Sequence, residues 1–447
     1  MPLKRKIYNV LKKWKKESNG SRAILIEGAR RVGKSYIVKE FAQNEYKSSL
    51  IIDFSTARKA IKDLFENETY DLDSFFMYLS VVTGVKFYER NTLIVFDEVQ
   101  LYPRARQMIK SLVEDGRYDY IETGSLISIK RNIQDILIPS EEKHITLNPM
   151  DFEEFLWALG DDVTMPYIKK CFETLTPLGE GIHRKVIGLF RQYMIVGGMP
   201  QAVKQYATNK DFQLVDEIKR DILELYRSDI AKYATGYENK VRGIFDDIPA
   251  QLSRHEKRFK LSSLGKGTRF RNYEDAFMWL DEAEIINICF NNMDPNVGLG
   301  LNVDRLTLKC YMSDTGLLFS HAFSDREITE KNVYKSILFD RLNLNEGMFF
   351  ENIVAQMLNS CGNKLFFYNN FDRSDSQNNM EIDFLIRRNL KICPIEVKSS
   401  SYSRHASIDK FIAKYKNRIG NSYIIYTKDL KVEKETIYLP VYMTSLL

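Results

Sequence analysis

Short apolar runs alternate with amphipathic stretches over the first third of the chain. The runs at residues 23–26, 50–54, 93–96 and 118–123 carry bulky apolar side chains. Runs of this kind, separated by stretches with helical periodicity, are typical of buried parallel strands with helices between them. We therefore predict an α/β domain with a parallel sheet over residues 1–150.

The hydrophobic pattern changes twice farther along the chain. Between residues 151 and 300 the apolar positions recur at helical spacing, and strand signals fade. Runs rich in strand-forming residues return later, at 382–386, 393–397 and 422–426. We predict a helical and winged-helix-like region over 151–300 and a C-terminal α/β domain over 301–447.

The N-terminal segment 1–17 is basic, and charged residues interrupt each of its apolar runs. It therefore lacks the continuous apolar core of a signal peptide. Ile7, Val10, Leu11 and Trp14 fall at helical spacing, with lysines between them. This pattern predicts a short amphipathic helix that packs against the first domain.

Composition narrows the class of protein. Of the 447 residues 44% are hydrophobic and 28% are charged, and the net charge of +5 is mild. Nothing approaches the run of about 18 apolar residues that a membrane helix needs, so we expect a cytoplasmic protein with no membrane partner. The cysteines are scattered without metal-type spacing, which favours reduced, mostly buried thiols and no zinc site. They are Cys171, Cys289, Cys310, Cys361 and Cys393.

Residues 28–35 match the motif G-x-x-x-x-G-K-[ST], with an apolar run before it and a helical pattern after it. A strand, a glycine loop and a helix in this order place backbone N–H groups around a phosphate. We predict an ATP site in which Lys34 contacts the β- and γ-phosphates and the hydroxyl of Ser35 binds magnesium. The predicted nucleotide-binding residues are Gly28, Ala29, Arg30, Arg31, Val32, Gly33, Lys34, Ser35 and Tyr36.

Two acids, Asp97 and Glu98, follow the apolar run 93–96 directly. They are expected at the sheet edge where the phosphate loop also lies, because carboxyl ends of parallel strands meet there. We predict that Asp97 holds the magnesium ion through water. Glu98 would polarise the attacking water, a task that the magnesium-binding acid cannot also perform well.

A third polar element is predicted on the next strand, which ends in the sequence Glu-Thr-Gly-Ser at 122–125. Ser125, or Thr123, would lie near the γ-phosphate and orient the water, although a plain strand-to-turn cap is the alternative. Ser125 therefore joins Lys34 and Glu98 in the predicted catalytic set. Together these motifs favour hydrolysis of a phosphoanhydride over mere nucleotide storage.

These motifs resemble those of the AAA+ superfamily of ATPases. The stretches GARRVGKS, LIVFDEVQ, ETGSL and LNPMDFEEFL carry the resemblance, and residues 193–200, 311–316 and 381–385 extend it along nearly the whole chain. More specifically, the chain resembles bacterial and archaeal ATPases that carry a C-terminal nuclease-fold region. The resemblance implies magnesium-dependent ATP hydrolysis and a C-terminal domain of the restriction-endonuclease-like fold.

The chain departs from the ATPases that it resembles at one position. Many of them have an arginine there that would act in trans, across the interface with a neighbouring subunit. Many relatives carry a Gly-Arg pair after the third strand motif, where this chain has Ile-Leu-Ile-Pro-Ser at 136–140. Arg104, Arg106 and Arg131 are the nearest substitutes, and a solvated surface charge is the alternative for each. Formation of a homo-oligomer, which such an arginine would require, is left open by the sequence.

The segment 245–293 can be interpreted as a winged-helix unit. Residues 261–264 would start a helix, 273–280 present an apolar face, and 285–290 would form a wing strand. Basic residues around these elements would contact DNA phosphates, although basic helices are commonly just solvated. They are Arg254, Lys257, Arg258, Lys260, Lys266, Arg269 and Arg271.

Near the C-terminus, Asp383 and the sequence Glu396-Val-Lys398 resemble the PD-(D/E)xK nuclease motif on two neighbouring strands. Asp383 and Glu396 alternate with apolar neighbours, so both can face one side of a sheet and share a second divalent cation. Lys398 would then activate water or steady the scissile phosphate. Glu351, in a helical run, is a candidate further acid. The alternative is a buried ion pair of these acids with Lys398.

These motifs lead to two alternative hypotheses for the function of the chain. In the first, ATP hydrolysis drives a nuclease-like module that acts on nucleic acid. In the second, the chain is an ATP-dependent regulatory or partner-binding switch whose nuclease fold does not cleave. The first requires metal-dependent cleavage that depends on Asp383 and Lys398. The second requires ATP turnover without cleavage.

Overall fold

The structure is a computed structural model, and it consists of two compact units. The N-terminal unit comprises Met1–Asn148 with Glu282–Glu284, and the second unit comprises Pro149–Asp281 with Ile285–Leu447. The described residues are 3–66, 71–125, 140–254, 256–265, 267–323, 346–370, 379–399 and 406–447.

The N-terminal unit contains a five-stranded parallel sheet with the strand order β2-β3-β4-β1-β5. All four apolar runs of the sequence form strands of this sheet, which confirms the predicted parallel α/β domain. A fifth strand, β5, was not predicted. The strands are β1 (Ala23–Glu27), β2 (Ser48–Asp53), β3 (Thr92–Asp97), β4 (Asp119–Thr123) and β5 (Glu142–Thr146).

Helices cover the sheet because their apolar faces match those of the strands. Phe54, Phe65, Phe75 and Phe96 lie in one aromatic core with edge-to-face contacts. The helices of this unit are α1 (Lys6–Ser18), α2 (Lys34–Glu45), α3 (Lys59–Glu66), α4 (Leu72–Thr83), α5 (Pro103–Gln107) and α6 (Ile109–Asp115).

Helix α1 is the amphipathic helix that the N-terminal pattern predicts. Ile7, Leu11 and Trp14 are buried, and Val10 is exposed. The indole Nε1 of Trp14 donates a hydrogen bond to the Arg22 carbonyl at 2.9 Å. The helix therefore packs into the N-terminal unit through the predicted stripe, apart from Val10.

The second unit begins with a helical region. Asp151 caps the first of its helices and forms a capping box with Glu154, which explains the Asp-Phe-Glu-Glu sequence there. The helices are α7 (Phe152–Ala158), α8 (Thr164–Thr174), α9 (Glu180–Val196), α10 (Pro200–Asn209), α11 (Phe212–Tyr233), α12 (Glu238–Leu252), α13 (Glu274–Glu282), α14 (Thr315–Ala322), α15 (Glu346–Ser360) and α16 (Ala406–Tyr415).

An eight-stranded mixed sheet completes the second unit, in the order β12-β13-β11-β10-β9-β8-β6-β7. Strand β6 pairs with β7 as an antiparallel neighbour and with β8 as a parallel one. The strands are β6 (Ile286–Asn292), β7 (Val303–Met312), β8 (Phe366–Asn370), β9 (Met380–Arg388), β10 (Lys391–Val397), β11 (Ser422–Tyr426), β12 (Lys431–Glu433) and β13 (Thr436–Pro440).

This sheet corrects two expectations. The predicted domain boundary at residue 300 falls between β6 and β7, which pair with each other, so no domain separates there. The predicted wing strand is β6, an interior strand of the large sheet, and residues 261–263 form only a single 3₁₀ turn. Hydrophobic pattern alone cannot distinguish a wing from a sheet strand, because both are short and apolar.

The Val-Gly-Gly and Ser-Asp-Thr-Gly sequences of the resemblance meet in the interior of the second unit. A carboxylate oxygen of Asp314 accepts the N–H of Gly198 at 2.6 Å, and its other oxygen accepts the N–H of Leu317 at 2.8 Å. A Cβ on Gly197, whose φ is 80°, would lie 2.3 Å from Oδ1 of Asp314. Glycine is required there because no side chain fits beside the carboxylate.

Among the described residues, no helix is long and apolar enough to cross a membrane.

Candidate functional site

The loop between β1 and α2 adopts a tight turn that only glycine allows at its first position. A Cβ on Gly28 would lie 2.5 Å from the carbonyl oxygen of Leu147. Gly33 and Arg31 have φ angles of 96° and 73°, in the left-handed region. Helix α2 begins at Lys34, directly after this turn. The loop therefore has the strand–loop–helix setting that the motif predicted.

The side chain of Lys34 lies inside the loop. Its Nζ donates to the carbonyl oxygens of Gly28 at 2.7 Å and Ala29 at 3.1 Å. Burial lowers the pKa of Lys34, and the Glu98 carboxylate opposes this effect. The ammonium is thus held where the loop curves, which is the position from which it would contact phosphate oxygens.

Asp97 collects two hydroxyl groups at the end of β3. Ser35 donates from Oγ to Oδ1 of Asp97 at 2.9 Å, and the Thr123 hydroxyl donates to the same oxygen. Hydroxyl and carboxylate oxygens are the ligands that magnesium prefers, and here they come from the phosphate loop and the adjacent strand end. These residues fit a magnesium–ATP site, with Ser35 and Asp97 as the residues that would hold the ion.

Glu98 is held at the turn that follows β3. Its φ is 54°, in the left-handed region, and its Oε2 accepts the Nε2 amide of Gln100 at 2.5 Å. A non-glycine residue in this region stores strain, which is common where a functional side chain must be aimed. Sequence reasoning missed Gln100, because a glutamine two residues after an acid is not distinctive.

Other residues predicted for this site lie on the loop, at the start of α2 and around the end of β4. Arg30 and Arg31 are exposed on the loop, and Tyr36 is 50% exposed. Thr123 contacts Asp97, whereas Ser125 follows β4 by two residues. Thr123 therefore contacts the acid at the end of β3, and the catalytic role of Ser125 stays a prediction.

Arg106 and Arg104, two of the three arginines proposed to act across a subunit interface, have different surroundings. Arg106 donates to both carboxylate oxygens of Glu142, at 3.1 Å and 2.8 Å, and its side chain is 3% exposed. The suggestion that Arg106 acts on a neighbouring subunit is therefore wrong, because it is buried in an ion pair. Arg104 lies 3.9 Å from a carboxylate oxygen of Glu66. Arg131 lies outside the described residues.

Arg106 belongs to a buried cluster that the sequence did not reveal. It contains Glu27 at the end of β1, Glu122 in β4 and Glu142 in β5, all nearly inaccessible. Burial raises the pKa of Glu122 well above its usual range, and the neighbouring Glu142 adds to the rise. The cluster links α5, which carries Arg106, to strands β1, β4 and β5 of the sheet.

A second group of charged residues lies in the second unit, around Lys309 of β7. The Nζ of Lys309 is 2.9 Å from Oε1 of Glu381, 3.2 Å from Oε1 of Glu351 and 3.5 Å from Oδ1 of Asp383. Lys257 and the Tyr311 hydroxyl also donate to Glu351. A buried ammonium thus lies beside Asp383, which the sequence assigned to a divalent cation, and beside Glu351, the candidate further acid.

The pKa values of Glu351 and Asp383, two acids of this cluster, are shifted in opposite directions. Lys309 and Lys257 lower the pKa of Glu351 to about 2, against the opposing effect of its burial. Burial and the Glu351 carboxylate raise the pKa of Asp383 to about 6. Glu351 is therefore the ionised partner of Lys309, and Asp383 is harder to ionise than Glu351.

The predicted pair of metal ligands does not form a metal cluster. Among the residues that the structure describes, no group of three or more acids, histidines or cysteines could hold a metal ion. Glu396 pairs instead with Lys398, at 2.5 Å, and Asp383 accepts the backbone N–H of Val397 at 2.9 Å. The alternative of an ion pair between Glu396 and Lys398 describes the geometry better than the shared cation does.

An irregularity in β9 explains why simple alternation failed here. The register with β8 pairs Phe366 with Leu385 and Tyr368 with Ile382, so three steps along β9 match two along β8. Ile382 and Leu385 consequently contribute to the same hydrophobic core despite their odd spacing. Such a bulge reverses the faces of the residues beyond it, so alternation no longer predicts which residues share a side with Asp383.

Most of the basic residues predicted to contact DNA are engaged within the second unit. Lys257 donates to Glu351, Lys260 lies 2.8 Å from Glu256, and Arg258 pairs with the same glutamate. Arg254 donates to the side-chain oxygen of Gln251 at 3.2 Å. Lys266 lies outside the described residues. The other two members, Arg269 and Arg271, are exposed.

The fold and the Gly28–Ser35 loop define the N-terminal unit as a P-loop ATPase domain of the AAA type. A family model described as "AAA domain" matches residues 20–156, which agrees with the sheet and the loop. Two further models, described as "Domain of unknown function (DUF8612)" and "Domain of unknown function (DUF4143)", match residues 187–327 and 346–445.

Three solved structures that this chain resembles are distant likenesses. The Walker-type ATPase PABY2304 of Pyrococcus abyssi is 14% identical, with a TM-score of 0.43, covering 72% of this chain and 96% of that one. Drosophila ORC bound to DNA is 12% identical, with a TM-score of 0.30, covering 68% and 91%. PCH-2 of C. elegans is 13% identical, with a TM-score of 0.26, covering 46% and 62%. Comparison with curated proteins gave no match.

Proposed function

We propose that this protein is a magnesium-dependent ATPase that uses ATP turnover as a switch for its second unit, without cleaving nucleic acid. The observation that carries the proposal is the contact of Ser35 and Thr123 with Asp97 beside the buried Lys34. A plain nucleotide store would not need a polar strand end aimed at the loop. Glu98 supplies the additional acid that hydrolysis requires.

The side chains divide the work of hydrolysis between them. Lys34 neutralises charge on the β- and γ-phosphates, and backbone N–H groups of the loop orient them. Magnesium, held by Ser35 and Asp97, would neutralise phosphate charge further. Glu98 accepts a proton from the attacking water, and its contact with Gln100 fixes the carboxylate at the start of that step.

The Lys309 cluster favours the non-cleaving function over the nuclease. A nuclease of the predicted type needs carboxylates that are available to a divalent cation. Here the ammonium of Lys309 contacts Glu351, Glu381 and Asp383, so a cation would have to displace a buried lysine. Such a displacement leaves a charged group without its partners and is therefore costly.

Coupling to the second unit is proposed because the chain passes between the two units three times, after Asn148, after Asp281 and after Glu284. DNA remains a candidate partner through Arg269 and Arg271, which are exposed members of the basic set. A protein partner is the other candidate. Homo-oligomer formation stays a prediction without an assigned interface arginine.

The test is steady-state ATP hydrolysis by the purified chain, with and without double-stranded or single-stranded DNA, in magnesium or manganese. We expect ATP turnover and intact DNA in every tube. Absence of turnover would overturn the ATPase proposal. Cleavage that is lost in both Asp383→Ala and Lys398→Ala would restore the nuclease function, whereas cleavage that survives both would point to a contaminant.

A further inference from the structure

Arg5 lies directly before helix α1, and its guanidinium is buried against the phosphate loop. Nη1 donates to the carbonyl oxygen of Val32 at 2.9 Å, and Nη2 donates to the carbonyl oxygen of Asn148 at 2.7 Å. The residue is only 5% exposed. One side chain from outside the motif therefore joins the phosphate loop to the segment that follows β5.

The contact with Val32 determines how one peptide of the loop is oriented. This peptide links Val32 to Gly33, the residue directly before α2, and it is trans. In a planar trans peptide the C=O and the N–H point in opposite directions. Because Arg5 holds the Val32 carbonyl, the Gly33 N–H is turned away from Arg5, and inward N–H groups are what such a loop offers to phosphate.

The loop needs support of this kind because part of its backbone is unfavourable. Arg31 has a φ of 73°, a conformation that costs a side-chain-bearing residue energy. The Cβ of any residue other than glycine at position 28 would collide with the Leu147 carbonyl, which shows how closely the segment after β5 approaches. Arg5 contacts the loop and this segment at once, through Val32 and Asn148.

We propose that Arg5 is a positioning residue for ATP binding, and this inference rests on the proposed ATPase function. It holds the Val32–Gly33 peptide so that its N–H is presented to a phosphate, and it does not itself contact the nucleotide. A charged donor is suited to the task because hydrogen bonds from charged groups are the stronger ones. The alternative is a purely structural role, in which Arg5 only anchors α1 to the N-terminal unit.

The two functions of Arg5 can be separated by ATP affinity and chemical rescue. We would measure the Kd for Mg–ATP and kcat at saturating ATP for the full chain and for Arg5→Ala, Arg5→Lys and the control Lys4→Ala. Lys4 is the exposed neighbour of Arg5. Thermal unfolding without nucleotide would be recorded for each variant, and the Arg5→Ala measurements would be repeated with millimolar guanidinium.

Positioning predicts that Arg5→Ala raises the Kd for ATP about ten-fold, the loss expected for one charged hydrogen bond. Guanidinium should restore most of the affinity, because it can occupy the vacated space and donate to both carbonyls. Arg5→Lys should lie in between, since one ammonium does not span both acceptors as a guanidinium does. We expect kcat to change by less than about two-fold, as for a loss of uniform binding.

The inference is wrong if Arg5→Ala binds ATP as the wild type does, or if a weaker Kd is accompanied by a lower melting temperature and guanidinium restores neither. If Arg5→Ala does not fold, Arg5→Lys takes its place, and an unchanged Kd for that folded variant also counts against the inference. Failure of the wild-type chain to bind ATP would instead refute the proposed function, so the two failures are distinguishable.

Discussion

Ser35 and Asp97 are in contact through a 2.9 Å hydrogen bond from Oγ to Oδ1, although 62 positions separate them in the sequence. The first residue belongs to α2 and the second ends β3. A magnesium ion bound to Ser35 would therefore lie beside Asp97, in the arrangement that the two motifs predicted. The Thr123 hydroxyl donates to the same carboxylate, so the end of β4 is also part of the site.

Replacement of Lys34 should abolish most ATP binding. Lys34→Ala removes the buried ammonium that would contact two phosphates, so we expect affinity to fall by about 100-fold, or about 3 kcal/mol. The measurement is titration of a fluorescent ATP analogue with magnesium present. Lys39→Ala is a matched control, because Lys39 is an exposed lysine of the same helix. Equal affinity of Lys34→Ala and Lys39→Ala would refute the assignment of Lys34.

Glu98→Gln should separate binding from hydrolysis. The residues predicted to contact the phosphates are unchanged in this variant, so the Kd for ATP should stay close to the wild-type value. The amide cannot accept a proton, so kcat should fall by about 10² to 10⁴-fold. Both are measured by phosphate release at saturating ATP and by analogue titration. Glu89→Gln, an exposed glutamate of the same unit, serves as control. Turnover of Glu98→Gln at the wild-type rate would move the catalytic acid elsewhere.

Lys309→Ala tests whether the lysine takes the place of a cation. Removal of a buried ammonium leaves Glu351 without its main partner, so we expect a loss of about 3–5 kcal/mol in the free energy of unfolding. Manganese should recover part of this loss, because the freed carboxylates then resemble a divalent-cation site. Urea unfolding with and without manganese measures both effects.

The wild type and Arg305→Ala, which alters an exposed residue of the same strand, should not respond to manganese. If manganese stabilises the wild type as much as Lys309→Ala, the acids already bind a cation beside Lys309. The non-cleaving function would then lose its main support.

Local patterns predicted the strands and the loop around the N-terminal site, because each of these elements depends on neighbouring residues. The apolar run before Gly28 and the run before Asp97 both formed strands of the parallel sheet, and this fold brings their ends together. Arg5 had no such pattern. A single arginine before a basic helix is indistinguishable in the sequence from the lysines around it, and only the fold shows that it is buried.

The C-terminal site was predicted less well because it depends on register and on a distant residue. Alternation placed Asp383 and Glu396 on one face, but the bulge in β9 changes the faces of its strand. Lys309 lies more than 70 positions before Asp383 in the chain and contacts it through the sheet. A lysine within the apolar sequence Leu-Lys-Cys-Tyr-Met at 308–312 was nevertheless a visible hint of a buried charge.

Acid pH should weaken the second unit through Glu351. In the folded chain its pKa is lowered from 4.5 to about 2, mainly by Lys309 and Lys257 against the effect of burial. The ionised form therefore stabilises the fold above pH 4.5, and this contribution is lost as the pH falls towards 2. Asp383 is mostly protonated in this window, since its pKa is raised to about 6.

The measurement compares the free energy of unfolding of the wild type and Glu351→Gln between neutral pH and pH 2. The wild type should be more stable at neutral pH by about 3 kcal/mol, the order expected for a shift of this size. This difference should shrink as the pH falls below 4.5, because the wild-type carboxylate takes up a proton. A difference that stays constant across this range would mean that Glu351 is not the ionised partner of Lys309, and the assignment of charges in the cluster would have to be reversed between Glu351 and Asp383.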